Sequence, residues 1–191
     1  ALKGYTRAVL VFDGATSQPV VCVKGKEAGK WAYGYNAFRI DITPFIKFGK
    51  SNLIEVHLNN VEESSRWYPG GGLYRPVSVE LYGNENFSTW DTFVRTLKAD
   101  KQEAEVEVNA LLEGKTGKSG KTVIALLDEA GKKVAEQTVT GANPEIKTTL
   151  KVANPQLWSP ESPYLYQVKL TRYEGKKVAD VQTLKTGIRT I

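Results

Sequence analysis

The sequence predicts an all-β protein built as two consecutive β-sandwiches. Three observations carry that expectation: apolar and polar residues alternate with period two through most of the chain, turn signals recur at short intervals, and helical periodicity is almost absent. Strands are predicted over residues 6–12, 19–23, 37–41, 52–58 and 77–82, then over 92–97, 104–112, 122–127, 133–139, 145–152, 165–173 and 177–185. The punctuation between them is Asp13-Gly14, Lys24-Gly25, Phe48-Gly49-Lys50, the glycine-rich run 114–120, Glu129-Ala130-Gly131 and Glu174-Gly175. A single short helix is expected over 42–48, where Asp41 and Thr43 can cap and Pro44 sits near a first turn.

Composition shifts over residues 83–87, from Tyr, Trp and Gly upstream to Lys, Glu, Val and Thr downstream, which places a domain boundary at about residue 85 and gives units 1–85 and 86–191. The downstream unit offers seven strands at regular spacing, the pattern of an immunoglobulin-like sandwich lacking a disulfide. No constellation of polar groups in it looks chemical. The upstream unit offers only about five strands, thin for a jelly roll. It therefore reads as a partial sandwich with strands missing, leaving an open edge and an uncovered apolar face, and self-association through exposed strand edges is expected.

The 191 residues are 41% hydrophobic and 10% aromatic, enough for real cores. Lys and Arg number 26 against 21 acidic residues, a net +5, but the cations are scattered, with pairs only at Lys132-Lys133 and Lys176-Lys177 in turns. Nucleic acid is not an expected partner, because that would need a basic stripe or patch. Nor is a membrane, since no segment approaches about 18 uninterrupted apolar residues. Cys22 is the one cysteine, lies in an apolar alternating stretch, and is expected to be a buried small hydrophobe; it excludes an internal disulfide and a cysteine-based metal site. His57 is the one histidine, which excludes a multi-histidine metal site or a His-bearing triad within the chain, and its parity puts it on the surface face of a strand. No cofactor and no metal are expected. Methionine is absent even at position 1, which suggests a piece of something longer. No targeting signal is visible, so localisation stays open.

The most informative stretch is 59–77, NNVEESSRWYPGGGLYRPV. Three successive glycines let the backbone turn sharply. Beside them stand Arg66, Trp67, Tyr68, Tyr74 and Arg75. Guanidinium forks donate to oxygens and ring faces cover apolar C–H surface, a combination suited to a hydroxylated or anionic ligand. The alternative is a long hairpin turn whose aromatics cap a core. Glu62 and Glu63 are adjacent on extended chain, point to opposite faces, and read as solvated carboxylates. Trp158, in LWSPESPYLY, is either a sugar platform or a residue that seals the base of the sandwich; Trp31 and Trp90 read as packing residues at the domain interface or at loop bases.

Four segments resemble glycoside hydrolase family 2, the β-galactosidase, β-glucuronidase and β-mannosidase group. They are Phe12-Asp13-Gly14 with Val21-Cys22-Val23-Lys24-Gly25-Lys26 and Gly29, carrying Lys24 where Asn is usual; Tyr33-Gly34-Tyr35-Asn36-Ala37-Phe38 with Asp41-Ile42-Thr43; Arg66-Trp67-Tyr68-Pro69-Gly70 with Gly72 and Tyr74-Arg75-Pro76-Val77; and Asn154-Pro155, Leu157-Trp158-Ser159-Pro160, Pro163, Leu165-Tyr166 and Gly187-Ile188-Arg189. They occur in the family's order over essentially the whole chain. The resemblance implies part of an N-terminal galactose-binding-like jelly roll followed by the immunoglobulin-like domain. The (β/α)₈ barrel that carries the family's two glutamates, set about 5 Å apart for retaining hydrolysis, is not among these residues.

The resemblance further implies that the chain is non-catalytic, with no catalytic residue of its own, and that its partner is the parent's barrel. Arg66, Trp67 and Tyr68 would contribute to that barrel's sugar subsite, while Gly70, Gly72, Tyr74 and Arg75 would structure the loop. Carbohydrate binding by these residues alone is expected to be weak or nil, and a bacterial periplasmic or secreted parent is favoured over a cytoplasmic one. Two competing readings are a stand-alone carbohydrate-binding module and a structural, adhesion-like pair of β domains.

Overall fold

The computed structural model describes residues 4–61, 70–115, 117 and 120–190. They form an all-β protein of two compact units, Ala1–Gly83 and Asn84–Ile191.

In the first unit, β1 (Arg7–Phe12) runs between β4 (Phe38–Asp41) and β6 (Val77–Tyr82), antiparallel to both. A second sheet places β2 (Val20–Val23) between β3 (Lys26–Lys30) and β5 (Ile54–His57). Alternation decides what lies between the sheets: Ala8, Leu10 and Phe12 of β1, Phe38 and Ile40 of β4, and Val21 and Val23 of β2 are all buried. The Phe12 and Phe38 rings stack at 4.7 Å, and Trp31 stacks on Phe38 at 5.6 Å while its indole N–H donates to Asn36.

β6 pairs Val77, Val79 and Leu81 opposite Phe12, Leu10 and Ala8, so its apolar residues point to the same face. Val77 and Val79 nevertheless stay 41% and 51% exposed, and Ile54 of β5 is 36% exposed. A cavity of about 470 Å³ opens there, lined by Ile46, Phe48, Ile54, Val79 and Leu81 among others.

Three sequence expectations change in this unit. Residues 42–48 form turns rather than a helix: Asp41 caps the Thr43 amide at 2.9 Å and Ile46 N–H reaches the Ile42 carbonyl, but the ladder stops there. Asn52 then ties off the following turn through the Lys47 amide and the Lys47 and Lys50 carbonyls. β3 is an additional strand; its KEAGK sequence has no apolar alternation, and it forms because Lys24 and Gly25, both at positive φ, close a two-residue hairpin from β2. Cys22 is half-buried, because β2 turns Val21 and Val23 to the core and Cys22 to the opposite face.

In the second unit, β9 (Glu103–Gly114) pairs with β12 (Glu145–Ala153) on one side and with β7 (Glu85–Phe87) and β8 (Phe93–Ala99) on the other. The facing sheet runs in the order β11 (Lys133–Thr140), β10 (Gly120–Leu127), β13 (Tyr166–Glu174), β14 (Lys177–Thr186). Ala104, Val106, Val108, Ala110 and Leu112 of β9 meet Ile124 and Leu126 of β10 and Val168 and Leu170 of β13 in a closed core. β7 was not predicted; it is three residues long and sits at the composition shift.

The second unit also contains a polar group that the sequence reading missed. Arg172 continues the inward series Tyr166, Val168, Leu170 and is 1% exposed. Its Nε donates to Glu85 at 2.7 Å, Nη2 to Glu85 at 3.4 Å and to the Gly141 carbonyl at 3.2 Å, and Nη1 to Thr122 at 3.4 Å. Glu85 is fully buried and also accepts from the Gly117 amide. Thr122, Gly141 and Gly117 thus complete the hydrogen bonding of the pair, the condition under which a buried ion pair is tolerated.

Candidate functional site

The sequence candidates Arg66, Trp67 and Tyr68, with Glu62 and Glu63, lie outside the described residues. Their flank is described, and it forms a knot from three separate stretches of chain. Gly72 exchanges a pair of backbone hydrogen bonds with Thr16, at 2.9 and 3.0 Å. The Tyr74 hydroxyl donates to the Gly34 carbonyl at 2.9 Å. Arg75 Nη1 donates to the carbonyls of Asp13 at 3.3 Å and Tyr35 at 3.4 Å, and its guanidinium lies 5.2 Å from the Tyr74 ring centroid. Asp13 N–H closes the knot on the Pro76 carbonyl at 3.1 Å.

Gly14 lies within this knot. A Cβ there would stand 2.7 Å from the Tyr74 hydroxyl, so the position has no room for a side chain. Gly70 is exposed and a Cβ there would meet nothing among the described residues, while Gly72, at φ 158°, takes part through its amide and carbonyl.

Two residues that sequence reasoning did not single out join the same surface. Tyr35 meets Tyr74 edge-on at 6.3 Å, and Tyr33 meets Tyr35 at 5.6 Å. Tyr33, Tyr35 and Tyr74 are 60%, 53% and 47% exposed, so three rings line the ground beside Arg75. The available signal was their place in the Tyr33-Gly34-Tyr35 run, but nothing local says that this run folds onto residues 74–75. Such a surface can bind hydroxylated rings through C–H contact and guanidinium donation.

The other candidates are dispersed. His57 is exposed on β5. Trp90 is 67% exposed. Trp158 is half-buried in the second unit, with its amide on the Ile188 carbonyl and the Arg189 guanidinium 4.5 Å above its ring. Among the described residues no three His, Cys, Asp or Glu side chains cluster as metal ligands.

Perturbed carboxylates serve packing on outer sheet faces. A hydrogen bond from Arg39, reinforced by Tyr82, holds Glu80 below the ordinary carboxylate value. Asn109, with Arg95 and Lys147, does the same for Glu107, which is 5% exposed in the middle of its sheet.

Comparison with known proteins fits these segments into one family. The model of Glycosyl hydrolases family 2 matches residues 87–189. The chain belongs to glycosyl hydrolase family 2. β-Galactosidase BoGH2A of Bacteroides ovatus is 34% identical over 94% of the chain and 22% of its own length, and a β-glucuronidase of Formosa agariphila is 27% identical over 96% and 22%. The crystal structure of a family 2 member from Bacteroides cellulosilyticus superposes with a TM-score of 0.83 at 36% identity, covering 98% of this chain and 25% of that one. This family 2 chain spans about a fifth of the length of the curated relatives it matches.

Proposed function

We propose that these residues are the non-catalytic leading part of a family 2 glycoside hydrolase that cleaves O-glycosidic bonds with retention, acting on β-galactosides or β-glucuronides. The first unit is part of a jelly-roll sugar-binding-like domain, and the second is an immunoglobulin-like sandwich. Together they support a (β/α)₈ barrel elsewhere in the parent polypeptide. Arg66, with Trp67 and Tyr68, reaches the sugar subsite of that barrel.

One observation carries the reading. The knot of Gly14, Tyr74, Arg75 and Thr16 anchors the chain at Gly72–Arg75, a few positions after Arg66, Trp67 and Tyr68 in the sequence, so the run is followed by a fixed base. Fixing the base lowers the ordering cost of presenting a guanidinium to a bound sugar, and its contribution is positioning. The relatives supply the chemistry: their names are β-galactosidase and β-glucuronidase.

The test has two arms. The purified chain is expected to leave 4-nitrophenyl β-galactoside and β-glucuronide uncleaved, and turnover of either would overturn the non-catalytic role. Grafted onto the barrel of BoGH2A in place of that enzyme's own leading sandwiches, the chain with Arg66→Ala is expected to lose about tenfold or more in kcat/KM at unchanged Tm. Equal kcat/KM would overturn the subsite role.

A further inference from the structure

The second unit carries a groove that no part of the reading above uses. It has a volume of about 740 Å³ and lies between β8 and the segment that follows β14. Its walls include Phe93, Arg95 and Thr96 of β8, Lys185, Gly187 and Arg189 at and after the end of β14, and Trp158, and among the described residues no Asp or Glu lines it. Three cations therefore line one concavity, of which Arg95 alone has a carboxylate partner among the described residues.

Among the described residues, one of these cations has a counter-ion and two do not. Arg95 is committed to Glu107 at 2.8 Å. Lys185 and Arg189 have no ion pair among the described residues. Arg189 is also held in place: its guanidinium lies 4.5 Å from the Trp158 ring centroid, and its amide reaches the Thr96 hydroxyl at 3.4 Å. Trp158 can lie under it because residue 187 is glycine. A Cβ there would stand 2.8 Å from the indole ring. A guanidinium stacked on a ring has fewer conformers to lose on binding, so its fork is set before an anion arrives.

The rest of the wall selects among anions. Phe93 is 59% exposed and Leu97 44%, an apolar face at the same concavity, and the hydroxyls of Thr96, Thr186 and Thr190 supply donors and acceptors. Cations, one apolar face and several hydroxyls match a pyranose carrying a carboxylate: the carboxylate takes the Arg189 fork and Lys185, the ring C–H face meets Phe93, and the ring hydroxyls meet the threonines. The volume lies in the range of small-ligand pockets.

We propose that this groove binds a uronate-bearing saccharide, with Arg189 and Lys185 as the carboxylate partners and Trp158 as the residue that positions Arg189. The choice of a saccharide rests on the glycosidase reading, while the preference for an anion rests on the groove alone.

The test is amide and indole NMR of the complete 191-residue chain, titrated in parallel with methyl β-D-glucuronide, methyl β-D-galactoside, galactose 6-sulfate and sodium acetate at low ionic strength. The glucuronide is expected to shift the amides of residues 93–97 and 185–190 and the Trp158 indole N–H. Its affinity should fall roughly five- to tenfold in Arg189→Gln and again in Lys185→Gln, as expected for one charge-assisted hydrogen bond each. It should also weaken with added salt.

Trp158→Phe keeps a ring under Arg189 and is expected to bind within about threefold of the unsubstituted chain, since a phenyl face still takes a guanidinium. Retention of the spectrum in each variant reports that the sandwich is folded. Equal shifts with the neutral galactoside, affinity for acetate or the sulfated sugar matching the glucuronide, or shifts unaltered by both cation substitutions would each overturn the proposal. None of these outcomes bears on Arg66, which is tested by turnover in the grafted enzyme.

Discussion

The two units apply the same alternation to opposite ends. In the second, Val168 and Leu170 on β13 are fully buried because a complete facing sheet covers them. In the first, Val77 and Val79 on β6 have the same inward parity and remain 41% and 51% exposed. Parity along a strand fixes which way a side chain points; a covering layer decides whether it is buried. The contrast extends to charge. The Glu85–Arg172 pair of the second unit is sealed in its core, while the comparable Arg39–Glu80–Tyr82 cluster of the first sits on an outer face with Glu80 36% exposed.

The largest expected effect comes from breaking the sealed pair. Arg172→Met leaves Glu85 buried without its partner and should cost the second unit about 3–5 kcal/mol. Urea unfolding followed by near-UV circular dichroism measures this, and a loss below about 1 kcal/mol would mean that water reaches the pair. Arg39→Met, at the open cluster, should stay below about 1 kcal/mol.

Next is truncation at matched inward positions. Leu170→Ala should cost about 2–5 kcal/mol, whereas Val79→Ala should cost under about 1 kcal/mol because little burial is lost there. Equal costs would show that Val79 is covered in solution, as self-association would do. Sedimentation across a concentration series separates the two cases.

Gly14→Ala drives a methyl group into the Tyr74 ring and should cost the first unit about 1–3 kcal/mol. Combined with Tyr74→Leu it should cost less than the sum of the single changes, because the nearest atoms in the clash, the phenol end of Tyr74, are then gone. Strict additivity would show that the knot is loose.

The smallest effect is on pH dependence. The folded-state pKa of Glu80 lies below its ordinary 4.5. Its stabilising share is therefore fully present above 4.5 and disappears as pH falls through the lower folded-state value. Glu80→Gln should lower the Tm of the first unit slightly at neutral pH, where the charged contact is intact, and flatten the Tm–pH curve in the acid window, so that the two proteins converge at the lowest pH.

Much of the fold was legible because it is written in alternation. Residues 104–112 and 122–127 show their buried parity without any structure. β3 was not legible, because its KEAGK run carries no apolar stripe and owes its pairing to the turn at Lys24-Gly25. The 42–48 segment has good caps but one turn of length, too short for caps to sustain a helix. Arg172 could have been caught: it stands at the inward parity of Tyr166, Val168 and Leu170, and a charge there asks for a buried partner. What no local pattern supplies is that the partner is Glu85.

Of the candidate site, the glycines and Tyr74-Arg75 were legible as a turn with donors. Their engagement with Asp13, Thr16, Gly34 and Tyr35 is a tertiary fact, visible only when the three stretches meet.

The sealed Glu85–Arg172 contact also sets a clock on biosynthesis, because its two halves are 87 positions apart. At ribosomal rates of about 5–20 residues per second, the carboxylate emerges roughly 4 to 17 seconds before the guanidinium that neutralises it. Until then the nascent second unit cannot close around that charge. The hairpins in between are free to form in the meantime, and the ion pair is the step that waits for the last third of the sandwich to be translated.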